Sequence, residues 1–290
     1  MKVAISTDTN SGITRAEARE AGLYLLPMPV NIEGETYLEG EDMDSTCLYE
    51  AMRRHRAVST SQPSPGQIVE LWDGILSSGF DQIVHIPMSS GLSGSCDSTV
   101  QLAASYGGRV QVADNHRISV TQRESAYSAL RLAQEVADAL EIKKRLEEHA
   151  YDASIYIMVD SLEYLKKGGR ITPAVAALAT VLQLKPVLTI QGGKLDVYAK
   201  SRGSVMAGKR MLEAIRKDRM ERFAAIPDSQ LRIDVAGTLD DDEQIQQWLR
   251  LVQSGFPETQ IEYAPLPCSI ACHVSVNAVR IALTQITACG

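Results

Sequence analysis

The sequence predicts a two-domain α/β protein. Short apolar stretches alternate with amphipathic ones through the first half of the 290 residues, and this alternation is typical of a doubly wound, mostly parallel sheet. The second half combines an apparent hairpin with longer helices, which favours a smaller α+β domain with a mixed sheet. A chain of this length commonly folds as more than one domain. We place an N-terminal domain over residues 1–150 and a C-terminal domain over 151–290, with short exchanges between them allowed.

The N-terminal elements follow from apolar runs and helix caps. The clearest helix spans Ser64–Ser77, where Ser64 caps the helix, Pro65 takes the first helical position and Gln67 completes a capping box. Leu23–Ile32 is predicted to be extended, and its two prolines restrict it to a sheet edge. The remaining strands are predicted at Val3–Thr7, Ile83–Ile86 and Arg109–Ala113. The remaining helices are predicted at Thr14–Ala21, at Ser45–His55 with Ser45 as cap, from the end of the second serine-rich segment to Tyr106, and at Leu140–His149.

The C-terminal domain is predicted to begin with a strand at Ser154–Val159. A Gly192-Gly193 turn between two apolar stretches indicates a hairpin of Val187–Ile190 and Lys194–Tyr198. The elements that follow are helix Ser204–Arg222, strand Leu231–Gly237, helix Asp240–Ser254, strand Gln260–Ala264 and a final helix that starts at His273.

Composition excludes several classes of protein. The net charge of −7 disfavours a general nucleic-acid binder, which usually carries a basic face. No apolar run is long enough to span a bilayer. The N-terminal run reaches Asp8 almost at once, so we interpret it as a first strand and not as a signal peptide. Five scattered cysteines fit reduced thiols better than a disulfide framework, and together these observations predict a cytoplasmic protein.

Two segments rich in hydroxyl groups each lie between an extended stretch and a helix start. The first hydroxyl segment is Ser59–Pro65 and the second is Ser89–Ser95. Hydroxyl groups and unpaired N–H groups at helix N-termini bind carboxylates and phosphates. The two segments together would form a pocket for an anionic head group. A polar loop with a helix cap and no ligand explains each segment taken alone.

The second hydroxyl segment also resembles the nucleophile elbow of a hydrolase. That motif requires Gly-x-Ser-x-Gly, and here the last position is Ser95. A triad of Ser93, Asp114 and His273 has the right chain order, although few residues separate the first two. A serine hydrolase of acyl esters is therefore an alternative function.

Two basic clusters and one apolar run complete the candidate features. A short amphipathic helix within Leu162–Ile171 ends at two glycines and projects Arg170, which suits carboxylate or phosphate recognition. Lys200–Gly203 offers a second basic cluster that contains Arg202. Taken singly, each cluster is explained better by a favourable interaction with a helix dipole, or by plain solvation, than by a functional role. The run Ala174–Leu184 fits core packing or the wall of a narrow apolar slot.

The cysteines near the end of the chain do not predict a metal site. Cys268, Cys272 and His273 have neither the spacing of a zinc ribbon nor that of a haem attachment site. We interpret both cysteines as packing residues, with no metal and no cofactor.

Taken together and in order, these segments resemble the DegV family of bacterial fatty-acid-binding proteins over nearly the whole chain. The resemblance implies two α/β domains with one long-chain fatty acid buried between them, and no catalysis by the chain itself. Members of the family look like carriers that present the acyl carboxylate to a separate kinase, which makes an acyl phosphate. The matching residues are Ser6–Asp8, Leu26–Val30, Ser59–Ser64, Leu92–Ser95, Leu162–Ile171, Leu184–Leu188, Lys200–Gly203 and His273.

The resemblance also implies roles for individual residues. Matched by position, Thr60 or Ser61 and Ser93, with the N–H group of Gly94, would hold the carboxylate, and His273 would close the site. The nearby basic residues, Arg170 and Arg202, would face the phosphate or the kinase.

Two stretches depart from the family pattern. Ser119–Arg123 stands where the family usually has a glycine-rich stretch, and Val274–Asn277 stands where Gly-Pro-Gly usually follows the last histidine. Bulkier residues there are expected to reshape the pocket or disturb kinase docking. A small-anion-binding protein with a closed acyl slot is the third alternative.

Overall fold

The computed structural model describes residues 1–135, 138–178 and 184–287, and its contacts divide the chain into two compact units. Unit 1 contains Met1–Tyr151, Pro267–Ser269 and the chain from Ile286. Unit 2 contains Asp152–Leu266 and Ile270–Gln285. Within the described ranges, no helix is both long enough and apolar enough to cross a membrane. The predicted slot wall falls partly on residues 179–183, which lie outside the described residues.

Among the described residues up to position 151, unit 1 contains seven β-strands and six α-helices. They are β1 (Val3–Asp8), α1 (Arg15–Ala21), β2 (Tyr24–Leu26), β3 (Pro29–Ile32), β4 (Glu35–Leu38), α2 (Ser45–Arg53), β5 (Val58–Thr60), α3 (Pro65–Ser77), β6 (Gln82–Ile86), α4 (Ser95–Ala103), β7 (Val110–Val112), α5 (Val120–Gln134) and α6 (Ala139–Glu148).

The main sheet of unit 1 is parallel and carries helices on both faces. Its strand order is β2-β1-β6-β7, and every pairing is parallel. Side chains alternate across the strands, so that Ile5 and Val84 pack with α1, α5 and α6. Ala4 and Ile83 point the other way and pack with α3 and α4. The predicted doubly wound sheet is confirmed.

Unit 1 also contains a small antiparallel sheet of order β4-β3-β5, which we had not predicted. The extended stretch Leu23–Ile32 is divided between the two sheets, because Pro27 and Met28 separate β2 from β3. Thr60 is the last residue of β5 and pairs with Val30. The prediction of an irregular loop at Ser59 and Thr60 was therefore wrong. Their strand has only three residues, which is too short to show an alternating pattern in the sequence.

Unit 2 is built on a mixed sheet of order β10-β9-β8-β13-β11-β12, in which only the β11–β12 pairing is parallel. Helices α9 and α10 cover one face, where Met211, Ile215 and Trp248 pack against Ile233 and Ile281. The elements of this half are β8 (Ala153–Met158), α7 (Glu163–Gly168), α8 (Pro173–Leu178), β9 (Leu184–Ile190), β10 (Asp196–Arg202), α9 (Ser204–Glu221), β11 (Leu231–Gly237), α10 (Asp242–Gly255), β12 (Tyr263–Pro265), α11 (Cys268–Val274) and β13 (Val279–Gln285). The predicted α+β class with a mixed sheet is confirmed.

Three local predictions were wrong. His273 does not begin the last helix, because it is the next-to-last residue of α11 and a strand, β13, follows it. Asp44, and not Ser45, caps α2 by accepting a hydrogen bond from Cys47 N at 3.0 Å. Arg202 is not in a loop after the hairpin, because β10 continues through it. By contrast, the capping box of Ser64 and Gln67 is present as predicted.

Candidate ligand-binding site

The order of the parallel strands in unit 1 fixes where a ligand site can form. The chain adds β2 on one side of β1 and later adds β6 on the other side. Ligands of open α/β sheets bind at such a switch point, beyond the carboxyl ends of the strands. Asp8 ends β1 and the second hydroxyl segment follows β6, so the topology places both at this edge of the sheet.

The second hydroxyl segment forms a compact turn held by its own polar groups. The N–H groups of Leu92 and Ser93 donate to Ser89 O at 3.0 and 3.2 Å, and the Ser89 hydroxyl accepts from Gly91 N at 3.2 Å. The Ser93 hydroxyl accepts from Ser95 N at 3.2 Å, and its own proton has no acceptor among the described residues. Ser93 is only partly buried, so it can donate a hydrogen bond to a ligand oxygen.

Helix α4 begins directly after this turn, and the only side chain that accepts from its first N–H group among the described residues is that of Ser93. Gly94 occupies the N-cap position and provides no side-chain hydrogen bond to the first turn. The N-terminus of a helix carries a partial positive charge that favours an anion. An exposed glycine therefore leaves the start of α4 open to a negatively charged group.

Gln62 brings the first hydroxyl segment to the second. Its Oε1 accepts a hydrogen bond from Ser98 Oγ of α4 at 3.3 Å. The same oxygen lies 3.4 Å from the position that a Cβ atom on Gly94 would occupy. Thr60 and Ser61 immediately precede Gln62, and they are partly buried and exposed, respectively. In the sequence, these two residues therefore lie one and two positions before Gln62, which makes the contact at the start of α4.

A buried hydrogen-bond network joins α5 to the carboxyl ends of β1 and β6. Nε2 of Gln122 in α5 lies 2.9 Å from Asp8 Oδ1, 3.0 Å from Thr7 Oγ1 and 3.2 Å from Ile86 O, so its two N–H donors are shared among three acceptors. Asp8 also accepts from Met88 N at 2.9 Å. Burial raises the pKa of Asp8, and these hydrogen bonds act in the opposite direction. Gln122 was not among the predicted site residues, because a single glutamine in a helix forms no sequence motif. Asp8 does belong to a motif, the polar end of the first predicted strand.

The contacts of Ser93 and Asp114 do not support a hydrolase triad. The Asp114 carboxylate accepts from the backbone N–H groups of Ser90 and His116, each at 3.3 Å. No imidazole is hydrogen-bonded to Ser93 Oγ in the described part of the chain. A nucleophilic serine needs a base within hydrogen-bond reach, and these contacts provide none.

No metal centre is formed by the described residues, in which no three His, Cys, Asp or Glu side chains are grouped suitably. Cys268 and Cys272 are buried in α11, in keeping with packing roles.

In unit 2, the predicted basic loop lies against His273. Helix α7 ends at Gly168, and Gly169 closes it in the left-handed conformation with φ of 70°. The guanidinium of Arg170 then donates back to Gly168 O. A Cβ atom on Gly168 would lie 2.5 Å from Nδ1 of His273, so the imidazole packs directly on this backbone. Arg202 is exposed at the end of β10, and its side chain forms no ion pair with the described residues.

Burial, together with the nearby charge of Arg170, lowers the pKa of His273 to about 4. The imidazole is consequently neutral at neutral pH. It can then exchange hydrogen bonds with a ligand, while Arg170 supplies the positive charge of this cluster.

The low pKa of His273 predicts a loss of stability in acid. Between pH 6.5 and about 4 the unfolded chain binds a proton at this histidine and the folded chain does not. The free energy of unfolding should therefore fall as the pH is lowered, by up to about 1.4 kcal/mol per pH unit for one proton. Urea unfolding of the wild type and of His273→Gln at several pH values measures this slope. The fully buried His85 contributes in the same direction in both proteins, so equal slopes would contradict the assignment to His273.

A family model describing uncharacterised proteins of the DegV family matches residues 2–285. The chain belongs to the DegV family. A DegV domain-containing protein of Listeria monocytogenes is 29% identical over 288 residues, which cover 97% of each chain. A DegV domain-containing protein of Streptomyces coelicolor is 32% identical over 217 residues, covering 75% of this chain and 77% of the relative.

Solved structures of DegV proteins share the fold. A fatty-acid-binding DegV family protein from Thermus thermophilus aligns with a TM-score of 0.87 at 27% identity, over 98% of this chain and all of the other. DegV of Bacillus subtilis, described as a fatty acid binding protein, aligns with a TM-score of 0.84 at 26% identity, over 98% and 99% of the two chains.

The stretches Ser119–Arg123 and Val274–Asn277 both contain residues with positive φ, a conformation that favours glycine. Ser119 has φ of 58°, Ser275 has φ of 70° and Asn277 has φ of 60°. Residues other than glycine and asparagine adopt such φ angles only at a cost in conformational energy. In these two stretches, serine and asparagine side chains stand on φ angles that glycine adopts readily.

Side chains in both stretches make hydrogen bonds to other parts of the chain. Arg123 of the first stretch donates to Glu17 Oε1 at 2.5 Å and to Gly12 O at 3.4 Å, which ties α5 to the start of the chain. Asn277 of the second stretch donates to Asp160 Oδ2 at 3.3 Å. Both stretches are therefore anchored to other parts of the chain by side-chain hydrogen bonds.

Proposed function

We propose that this protein is a cytoplasmic carrier that binds one long-chain fatty acid, holds its carboxylate at the hydroxyl segments of unit 1, and presents it to a separate kinase for acyl-phosphate formation. The observation that carries the proposal is the contact of Gln62 with the start of α4. This contact joins the first hydroxyl segment, in which Thr60 and Ser61 precede Gln62, to the start of α4, and it supports a head-group site that also includes Ser93. The description of the Thermus and Bacillus homologues as fatty-acid-binding proteins supports the class of ligand.

The physical chemistry of a fatty acid fits neutral donors at the head group. Burying about 15 methylenes contributes on the order of 12 kcal/mol before costs, at ~0.8 kcal/mol each. Association and ordering offset much of that gain. The polar groups therefore have to orient the carboxylate and replace its water, and hydroxyl and N–H donors are sufficient for this. Strong affinity does not require a buried ion pair.

The role of His273 is a separate part of the proposal, because this residue belongs to unit 2. Family resemblance assigns it to the same carboxylate, and its neutral imidazole is suited to a hydrogen bond. Arg170 and Arg202 are proposed to face the phosphate or the kinase.

Mass spectrometry of gently purified protein tests the ligand directly. We expect a copurified C14–C18 fatty acid at one molecule per chain. Protein that is empty after several expression conditions, yet binds inorganic phosphate, would support the small-anion alternative. Covalent labelling of Ser93 by a fluorophosphonate would support the hydrolase alternative.

Removing the Ser93 hydroxyl should weaken retention of the fatty acid without unfolding the protein. Ser93→Ala deletes one donor to the carboxylate, which corresponds to about 1 kcal/mol or a several-fold higher dissociation constant. Titration with a fluorescent fatty acid measures the change. Ser105→Ala is the control, because Ser105 is exposed and its hydroxyl donates to the backbone oxygen of Leu102. Equal affinity of Ser93→Ala and wild type would show that this segment does not hold the carboxylate.

The carrier role requires a further assay. Protein loaded with fatty acid should support acyl-phosphate formation by a purified bacterial fatty acid kinase with ATP, whereas the kinase alone with free fatty acid should not. If the protein bound lipid but did not stimulate the kinase, the proposed binding function would stand and the proposed carrier function would be rejected.

A further inference from the structure

The segment that follows His273 is fixed at two points in unit 2. Ser275 and Asn277 both have left-handed backbone angles. The Thr238 hydroxyl donates to Ser275 O at 2.8 Å and accepts from Ala278 N at 2.9 Å. Because these bonds involve only the backbone of the segment, they do not depend on which side chains it carries.

The second anchor does depend on a side chain. Asn277 Nδ2 donates to Asp160 Oδ2 at 3.3 Å, and Lys185 Nζ lies 2.6 Å from the other oxygen of Asp160. Asp160 lies between β8 and α7, and Lys185 is in β9. A glycine at position 277 would keep the backbone angle and lose this hydrogen bond.

The two ends of α7 are thereby joined to one short segment. Before the helix, Asp160 bonds Asn277. At its end, Gly168 packs against the imidazole of His273, and Arg170 follows two residues later. His273 and Asn277 are four residues apart in the chain. A helix held at both ends by the same segment cannot rotate or slide past it without breaking one of these contacts.

We infer that Asn277, acting through Asp160, is a positioning residue that sets the place of His273 relative to Arg170. The bond holds the segment 273–277 against α7, so that the imidazole stays packed on Gly168 and beside the guanidinium. Under the proposed function, on which this consequence rests, the bond also slows release of the fatty acid. The arrangement differs from a glycine-containing segment, in which no side chain joins the two parts.

Asn277→Gly isolates the side chain, because glycine is compatible with φ of 60°. Ser275→Gly is the matched control. It relieves a similar backbone angle two residues from His273 and leaves the hydrogen bond of Asn277 intact. NMR titration of the His273 imidazole reports its surroundings without any ligand. We expect the imidazole pKa to rise by about half a unit or more in Asn277→Gly, because the ring gains water and moves from Arg170. We expect no rise in Ser275→Gly.

Asp160→Asn provides a second variant that breaks the ion pair with Lys185 and keeps an acceptor for Asn277. It should raise the His273 pKa less than Asn277→Gly does. Release of a fluorescent fatty acid should be about threefold faster in Asn277→Gly than in the control. Unchanged imidazole titration in Asn277→Gly would overturn the inference, whatever the ligand. A shifted titration with no fatty acid binding by any variant would keep the positioning role and reject the proposed function.

Discussion

Replacing Gln122 with alanine should lower the free energy of unfolding by about 3 kcal/mol or more. The amide of Gln122 donates to the Asp8 carboxylate, to the Thr7 hydroxyl and to Ile86 O. Its removal leaves a cavity and takes one donor from a fully buried carboxylate that has no cation beside it in the described ranges. Urea denaturation at pH 7 measures the change.

The control for this prediction is Gln111→Ala. Gln111 also donates through its amide to a carbonyl, that of Gly108 at 3.0 Å, but it is only partly buried in β7. We expect that variant to lose about 1 kcal/mol or less. Gln122→Glu sharpens the test, because it places a second carboxylate beside Asp8. The stability of this variant should be low at pH 7 and should recover in acid, where the introduced carboxyl group is protonated and can donate again. A loss in Gln122→Ala no greater than in the control would mean that the network does not support this edge of the sheet.

Replacing Gly168 with alanine should displace His273. The new Cβ would lie 2.5 Å from Nδ1 and 3.1 Å from Cε1 of the imidazole, closer than atoms can pack. Either the ring or the end of α7 has to move, at a cost of about 1–3 kcal/mol. The pKa of His273 should then rise from about 4 towards its ordinary value of 6.5, because the ring gains contact with water. Thermal unfolding and NMR titration of the imidazole measure the two effects.

Gly169→Ala separates the steric effect from the backbone effect. Gly169 has φ of 70°, and a Cβ atom there meets no other atom within 4 Å. Its replacement should cost about 1 kcal/mol through the left-handed backbone alone and should leave the titration of His273 unchanged. If Gly168→Ala also left that titration unchanged, the packing of the imidazole on this glycine would be refuted.

The alternation of elements and the helix caps made much of the fold predictable. Ser64, Pro65 and Gln67 specify the start of α3 through local chemistry, so the sequence alone was sufficient there. Helix α5 was not predicted, because its buried face is largely polar and includes Thr121, Gln122 and Ser125. Hydrophobic periodicity cannot detect a helix of that kind.

Strand β13 shows a second limit of prediction from sequence. Val279, Ile281 and Leu283 alternate with Arg280, Ala282 and Thr284, and all six residues are buried, although we had assigned this stretch to a helix. An alternation of only six residues, with a buried arginine within it, is a weak signal for a central strand. The same error placed His273 at the start of a helix, although its identity as a candidate site residue came from the ordered set of motifs.

The candidate site was predictable by residue type but not by geometry. The two hydroxyl segments were recognisable because serines and glycines cluster before helix starts. Their meeting depends on Gln62, whose role is decided by a contact with α4 far along the chain. The Asn277–Asp160 bond depends equally on tertiary structure. No local rule in the sequence relates such pairs.

The place of β13 in its sheet has a consequence for how the chain folds during synthesis. The four parallel strands of unit 1 are all translated by Val112, so that sheet can assemble early on the ribosome. The sheet of unit 2 is different, because its strand β13 lies between β8 and β11 and is the last of the six to be made. Until it emerges, β8 and β11 have no partner along those edges, and non-local pairing of this kind is slow. Unit 2 therefore completes its core only after β13 has been translated, and the facing edges of β8 and β11 stay unpaired until then.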